Sequence, residues 1–254
     1  QTALELERVL GVPASYWNNA ERLYRESIAR SEEQKRLEEK ADWLTNFPVK
    51  DMIKKGWIRK AKNKAEQVKE MLDFFGVASP DSWDDIWEGP QAIYRRTHAY
   101  ESISTTVAAW LRKGELEAQD IECKLYHRNQ FKQTLPELRA LTVQPPEVFF
   151  REIVRLCAEC GVAVVIIPCL SKTGIWGATR WISPDKALIQ LSLRYRDDGH
   201  FWFTFFHEAG HILLHGKQGF FVDTTGQEQS VENEEWDEKE QEANRFAADI
   251  LIPP

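Results

Sequence analysis

Apolar and polar positions are distributed unevenly along this chain, and the sharpest pattern lies near its C-terminal end. Phe201-Trp202-Phe203-Thr204-Phe205-Phe206 runs without a helix breaker into residues 207–211, and Ile212, Leu213 and Leu214 carry the apolar character on to Gly216. The pattern predicts one buried helix with Gly216 suited to its C-terminal cap. A second segment, Glu228 to Glu242, is dense in acid and leads into a stripe of Ala243, Phe246, Ala247, Ile250 and Leu251 before Pro253. That stripe has helical spacing and needs a surface to pack on, for which the 201–214 helix is the natural choice. Most of the acids belong to solvent, where a helix start also suits them.

Upstream, Pro146 to Cys160 reads as an amphipathic helix, Gly161 as a break, and Val162-Ala163-Val164-Val165-Ile166-Ile167 as a buried strand. Residues 177–182 and 187–193 predict a hairpin turning through Ser183-Pro184-Asp185-Lys186. Residues 1–145 read as almost wholly helical, punctuated at Gly11-Val12-Pro13, Phe47-Pro48, Gly56, Gly76, Ser79-Pro80, Gly89-Pro90, Gly114 and Pro145-Pro146. One long helix is expected from Pro13 to about Asn46, with Trp17, Ala20, Leu23, Tyr24, Ile28, Leu37, Ala41 and Leu44 on its packed face. Trp57, Phe74, Phe75, Trp83, Trp87 and Trp110 are expected in a core. The fold class is therefore α+β, a largely helical N-terminal half followed by a domain with a small sheet. The expected divisions are 1–55, 56–145 and 146–254.

Candidate chemistry sits inside the most apolar helix. Residues 207–211 are His-Glu-Ala-Gly-His, so two imidazoles four apart share a face, the spacing that lets both bind one zinc ion. Glu208 projects about a quarter-turn away, where it can act on water without binding the metal. A catalytic zinc site takes three protein ligands and keeps a position open. The third is sought in the acidic stretch: Glu240 shares a face with Ala243, Asn244 and Ala247, whereas Glu242 lies about 160° around a regular helix from it. Glu240 is the favoured ligand, with Glu242 and His215 as alternatives. His215 continues the face of His211, yet a third stacked histidine falls about 6 Å further along the axis. With zinc in place, Glu208 is the expected general base and then acid in peptide hydrolysis. Tyr195, His200 and His215 are the side chains near enough in sequence to propose as donors to the oxyanion. A sheet edge beside the helix would hold an extended peptide as an added strand, although the hairpin reads equally as core sheet.

Composition narrows the class. The chain has 254 residues, 43% hydrophobic and 29% charged, enough for a sizeable core and more than one domain. A net charge of -7 argues against a surface that coats nucleic acid. No apolar run approaches a membrane span and no signal peptide opens the chain. Four sparse cysteines suit a reducing cytoplasm. Cys157 and Cys160 form a C-x-x-C on a helix with no second pair at zinc-finger spacing, so helix packing explains them.

His-Glu-Ala-Gly-His-Ile-Leu-Leu-His at 207–215 and Glu-Gln-Glu-Ala-Asn-Arg-Phe-Ala-Ala-Asp-Ile-Leu-Ile-Pro at 240–253 together resemble the ImmA/IrrE-type metallopeptidases. These are soluble zincins often linked to helix-turn-helix regulators. The two motifs cover under a quarter of the chain. The resemblance implies a minimal zincin-like domain over 146–254 with a gluzincin-like His, His, Glu sphere, and carries the family's metal glutamate onto Glu240. It implies a zinc endopeptidase whose protein substrate is a transcriptional repressor or antitoxin. Residues 2–17 resemble the last helices of an Xre/HigA-type helix-turn-helix module, whose recognition helix would precede this point. DNA contact is thus expected only through a part largely outside this chain, which reads as a portion of a longer protein. The alternative function is a DNA-binding regulator or antitoxin whose zincin-like domain senses or scaffolds. The long N-terminal helix reads as packing on its neighbours or bridging domains, with a homodimer through it as the lesser alternative.

Overall fold

The structure is a computed structural model that describes residues 2–88, 105–171, 173–192, 198–217, 221–224 and 234–252. It is an α+β fold. The first helices are α1 (Thr2–Leu10), α2 (Ala14–Glu39), α3 (Val49–Lys54), α4 (Lys64–Phe75) and α5 (Pro80–Trp83). After them come α6 (Thr105–Gln119), α7 (Arg128–Ala140) and α8 (Pro146–Ala158). Strands β1 (Val162–Ile166), β2 (Ile175–Ser183) and β3 (Lys186–Leu191) lead to helix α9 (Asp198–Leu214). The described chain ends with β4 (Phe221–Thr224) and α10 (Glu234–Leu251).

The expected helix from Pro13 to Asn46 is corrected. α2 stops at Glu39, Lys40 leaves helical geometry, and Ala41–Asn46 forms a separate 3-10 turn. The break lets Trp43 and Leu44 face the helical core, where a straight continuation of α2 would carry them away. The expected hairpin is present, with its first arm longer at Ile175–Ser183 and its second running over Lys186–Leu191, and β2 and β3 pair antiparallel from Gly177↔Leu191 to Ser183↔Lys186.

Sheet order is β1-β3-β2-β4, with β1 parallel to β3 and β4 antiparallel to β2. β2 is therefore an inner strand and β4 is the terminal one, so the hairpin offers no edge beside Gly177–Thr179. Both sheet faces are covered. Ala163, Val165, Ala178 and Leu188 join one apolar cluster with Trp110, Phe74, Phe75 and Trp83, on the side of α6. Val162, Val164, Ala187, Ile189 and Leu191 join another with Phe149, Ile153, Phe205 and Phe206, on the side of α7, α8, α9 and α10. Alternate residues point to opposite faces of a strand, so burial on both faces makes these strands read as continuous apolar runs.

Polar ties fix α6 to the sheet. Trp110 Nε1 donates to the Ile167 carbonyl at 2.9 Å, and Gln190 Nε2 donates to the Trp110 carbonyl at 2.6 Å. Arg180 reaches the Leu111 carbonyl at 2.7 Å and the Glu115 carboxylate at 3.4 Å. Cys157 and Cys160 sit in the second apolar cluster, and all four cysteines are free thiols. Burial pushes the Cys157 thiol well up, which suits packing and opposes thiolate chemistry. Among the described residues, no helix is long and apolar enough to cross a membrane.

Candidate metal centre

Helix α9 begins three residues before the apolar run, at Asp198, and nearly its whole circumference is buried from Thr204 to Leu213. It ends at Leu214, and Gly216 takes a φ of 73°, the left-handed conformation that closes a helix readily with glycine. Such a helix must be covered on several sides. β2 and β3 lie on one flank and α10 on another.

On the sheet side, Gly177 lies directly against Glu208. A Cβ on Gly177 would stand 2.4 Å from Glu208 Oε1 and 2.8 Å from Thr204 Cγ2, so only glycine leaves the carboxylate its place. Thr179, two residues on and hence on the same face, donates its hydroxyl to the Glu208 carbonyl at 3.2 Å. Glu208 is completely buried.

On the α10 side, Gly210 and Ala243 let two backbones approach closely. A Cβ on Gly210 would lie 3.3 Å from the Ala243 Cα and 3.0 Å from the Phe246 ring. One turn before Ala243, Glu240 then faces the two histidines. Its Oε2 is 3.2 Å from His207 Nε2 and its Oε1 3.5 Å from His211 Nε2, while the two Nε2 atoms are 2.9 Å apart. Glu242 points elsewhere, with Oε2 3.1 Å from His215 Nε2. His215 Nδ1 lies 2.9 Å from His211 Nδ1. The structure thus gathers His207, His211 and Glu240, and places His215 and Glu242 behind His211. His200 stands exposed two turns before His207, its ring 5.3 Å from that of Trp176. Tyr195 lies outside the described residues.

The donor set fits a metal ion. Asn244 Oδ1 lies 3.0 Å from His207 Nδ1, so the ring proton on Nδ1 goes to Asn244 and the unprotonated Nε2 turns toward Glu240. Burial pushes His211 down to about 4, so this imidazole is neutral near pH 7. Burial would raise the Glu240 carboxyl, but the adjoining His207 and His211 rings outweigh it and hold the group at about 2. At neutral pH the ionised Glu240 carboxylate, the neutral His211 imidazole and the His207 ring converge, and their ligand atoms lie within 4.8 Å of one another. Four tetrahedral ligands about 2.0–2.1 Å from zinc sit roughly 3.3 Å apart, close to the three separations here.

The sequence reading places Asn244 on the face of Glu240 without giving it a task, and reads Gly177 only as a strand residue. A glycine inside a strand signals close approach of something else, and that signal was available.

Residues 159–254 match the peptidase family whose domain is described as IrrE N-terminal-like. Residues 1–158 lie outside the match. Protease chemistry is thus the coarse assignment of the segment that holds the cluster, in line with the resemblance drawn from its two motifs. No curated protein and no solved structure matches the chain.

Proposed function

We propose that this chain is a zinc-dependent endopeptidase, with His207, His211 and Glu240 as metal ligands and Glu208 as general base. One observation carries the reading: two imidazole nitrogens and a carboxylate oxygen converge between α9 and α10, with a fully buried glutamate on the same helix as the histidines. When bound, zinc supplies Lewis acidity, lowering the pKa of water toward neutrality and polarising a carbonyl.

The chain's own residues do the rest. Glu208 takes a proton from the attacking water and returns it to the leaving amine, so one carboxyl serves as base and then acid. Gly177 leaves the space that its carboxylate occupies against β2, and Thr179 ties its backbone carbonyl to the same strand. Asn244 keeps His207 in the tautomer whose Nε2 faces inward. Substrate peptide would align along the terminal strand β4 by strand addition. The oxyanion donor is to be sought in Tyr195 or His200, since both ring nitrogens of the third candidate, His215, already face Glu242 and His211. The substrate class we propose is a transcriptional repressor or antitoxin, in keeping with the resemblance.

A second reading, a DNA-binding regulator or antitoxin with little proteolysis, draws on the N-terminal helix pair. α1 has no buried residue, and Leu4, Val9, Leu10 and Tyr16 are exposed, as in a module that packs on further structure. A Glu208→Gln variant separates the two. Assayed against candidate repressors, it should keep its zinc and lose about 10²- to 10⁴-fold in cleavage. Undiminished proteolysis would remove Glu208 from the mechanism, and a wild type that cleaves nothing would favour the regulator.

A further inference from the structure

Behind the metal cluster lies a second set of contacts that the zinc reading does not use. Glu242 Oε2, His215 Nε2, His215 Nδ1 and His211 Nδ1 form a line with steps of 3.1 and 2.9 Å. A carboxylate can only accept, so the proton on the His215 ring sits on Nε2 and points to Glu242. A neutral imidazole carries one N–H, which leaves His215 Nδ1 as an acceptor. His211 Nδ1 must then be the donor, and His211 Nε2 is the unprotonated nitrogen that faces Glu240 and His207. With a neutral ring at His215, the carboxylate end sets the direction of each proton in this line.

We infer that His215 and Glu242 are positioning residues, a carboxylate–histidine relay that fixes the tautomer and ring orientation of His211 and raises its basicity toward the metal. The inference rests on the zinc reading above. It removes both residues from the list of alternative ligands and gives each a task. The surroundings fit: the His215 side chain is 3% exposed, so its ring is held by packing, whereas Glu242 is 62% exposed and acts from the rim. The two ligand histidines are thus steadied by different means from the same helix, a neutral amide at Asn244 for His207 and a charged relay for His211.

The test combines zinc affinity, measured by competition with a chromophoric chelator, and nitrogen-15 NMR of the imidazoles in the full chain. The wild type should show His211 as the Nδ1–H tautomer. His215→Ala should weaken zinc binding by about 10- to 100-fold, as loss of such an outer partner does. Glu242→Ala should lie near the lower end of that range, because solvent screens the exposed carboxylate. Glu242→Gln keeps an acceptor for His215 and should recover part of the loss while His211 retains its tautomer. Glu242 lies at the surface, so its variants report on affinity even if His215→Ala folds poorly. Variants that bind zinc as the wild type does, or an Nε2–H tautomer at His211, would overturn the inference and leave the zinc reading intact. A wild type that binds no zinc would overturn both.

Discussion

Glu240 and Glu242 are two residues apart in α10 and meet different histidines. A regular helix turns about 200° over that interval, and this alone suggests that only one can face the metal. Glu240 sits one turn before Ala243, where the two helices touch, while Glu242 reaches His215, the residue that follows the end of α9 at Leu214. Tyr126 is a second residue set by its surroundings. Its ring packs edge-on against Trp181, its hydroxyl has no hydrogen-bond partner among the described residues, and burial pushes it up to about 12. In the unfolded chain tyrosine ionises near pH 10. Between about pH 10 and 12 the unfolded state therefore loses a proton that the native state keeps, and stability falls as pH rises through that window. Tyr126→Phe should fold at least as well at pH 7, since no hydrogen bond is lost, and should show a shallower fall in stability above pH 10. Denaturant titrations at pH 8 and pH 11 measure both effects. A variant that is clearly destabilised at pH 7 would mean that the hydroxyl has a partner.

At the scale of elements, the α9–α10 contact decides whether a site exists. Gly210 lies inside the His-Glu-Ala-Gly-His motif, and a side chain there meets Phe246 and the backbone at Ala243. A helical glycine costs about 1 kcal/mol relative to alanine, so its presence mid-helix signals a packing need. Gly210→Val should push α10 outward, withdraw Glu240 and weaken zinc binding by at least about tenfold while the sheet remains folded. Chelator competition and circular dichroism together check this, and unchanged affinity would show that the close approach is dispensable. Much of this arrangement is legible in the sequence. The imidazole spacing, the apolar circumference of α9 and the stripe on α10 each follow a helical period that chain chemistry imposes locally. The end of α2 is less legible, because Glu39 and Lys40 carry no breaker and the turn there is enforced by the packing of Trp43 and Leu44.

For the whole molecule, the least legible feature is the order of the sheet. β1 lies beside β3 and parallel to it, and β4 covers β2, pairings between segments far apart in sequence that no local pattern encodes. Both sheet faces are buried, so alternation along β1 and β3 does not say which residue faces the metal side. Gly177 holds the clue for β2, since its missing side chain is where Glu208 fits. Residues 47–87 and 107–118 contribute to the cluster on the other face of the same sheet, and Trp110 and Gln190 exchange their polar groups with backbone across that contact. The metal helix is thus backed by β2 and β3, which α6 supports from behind.

The central claim is that His207, His211 and Glu240 hold one divalent ion together. Zinc content of the purified chain, measured by elemental analysis after equilibration with zinc and gel filtration, tests it most directly. The account predicts about one zinc per chain in the wild type and in Glu208→Gln, and essentially none in His211→Ala or Glu240→Ala. A wild type free of zinc, or a Glu240→Ala variant that keeps its full complement, would contradict it.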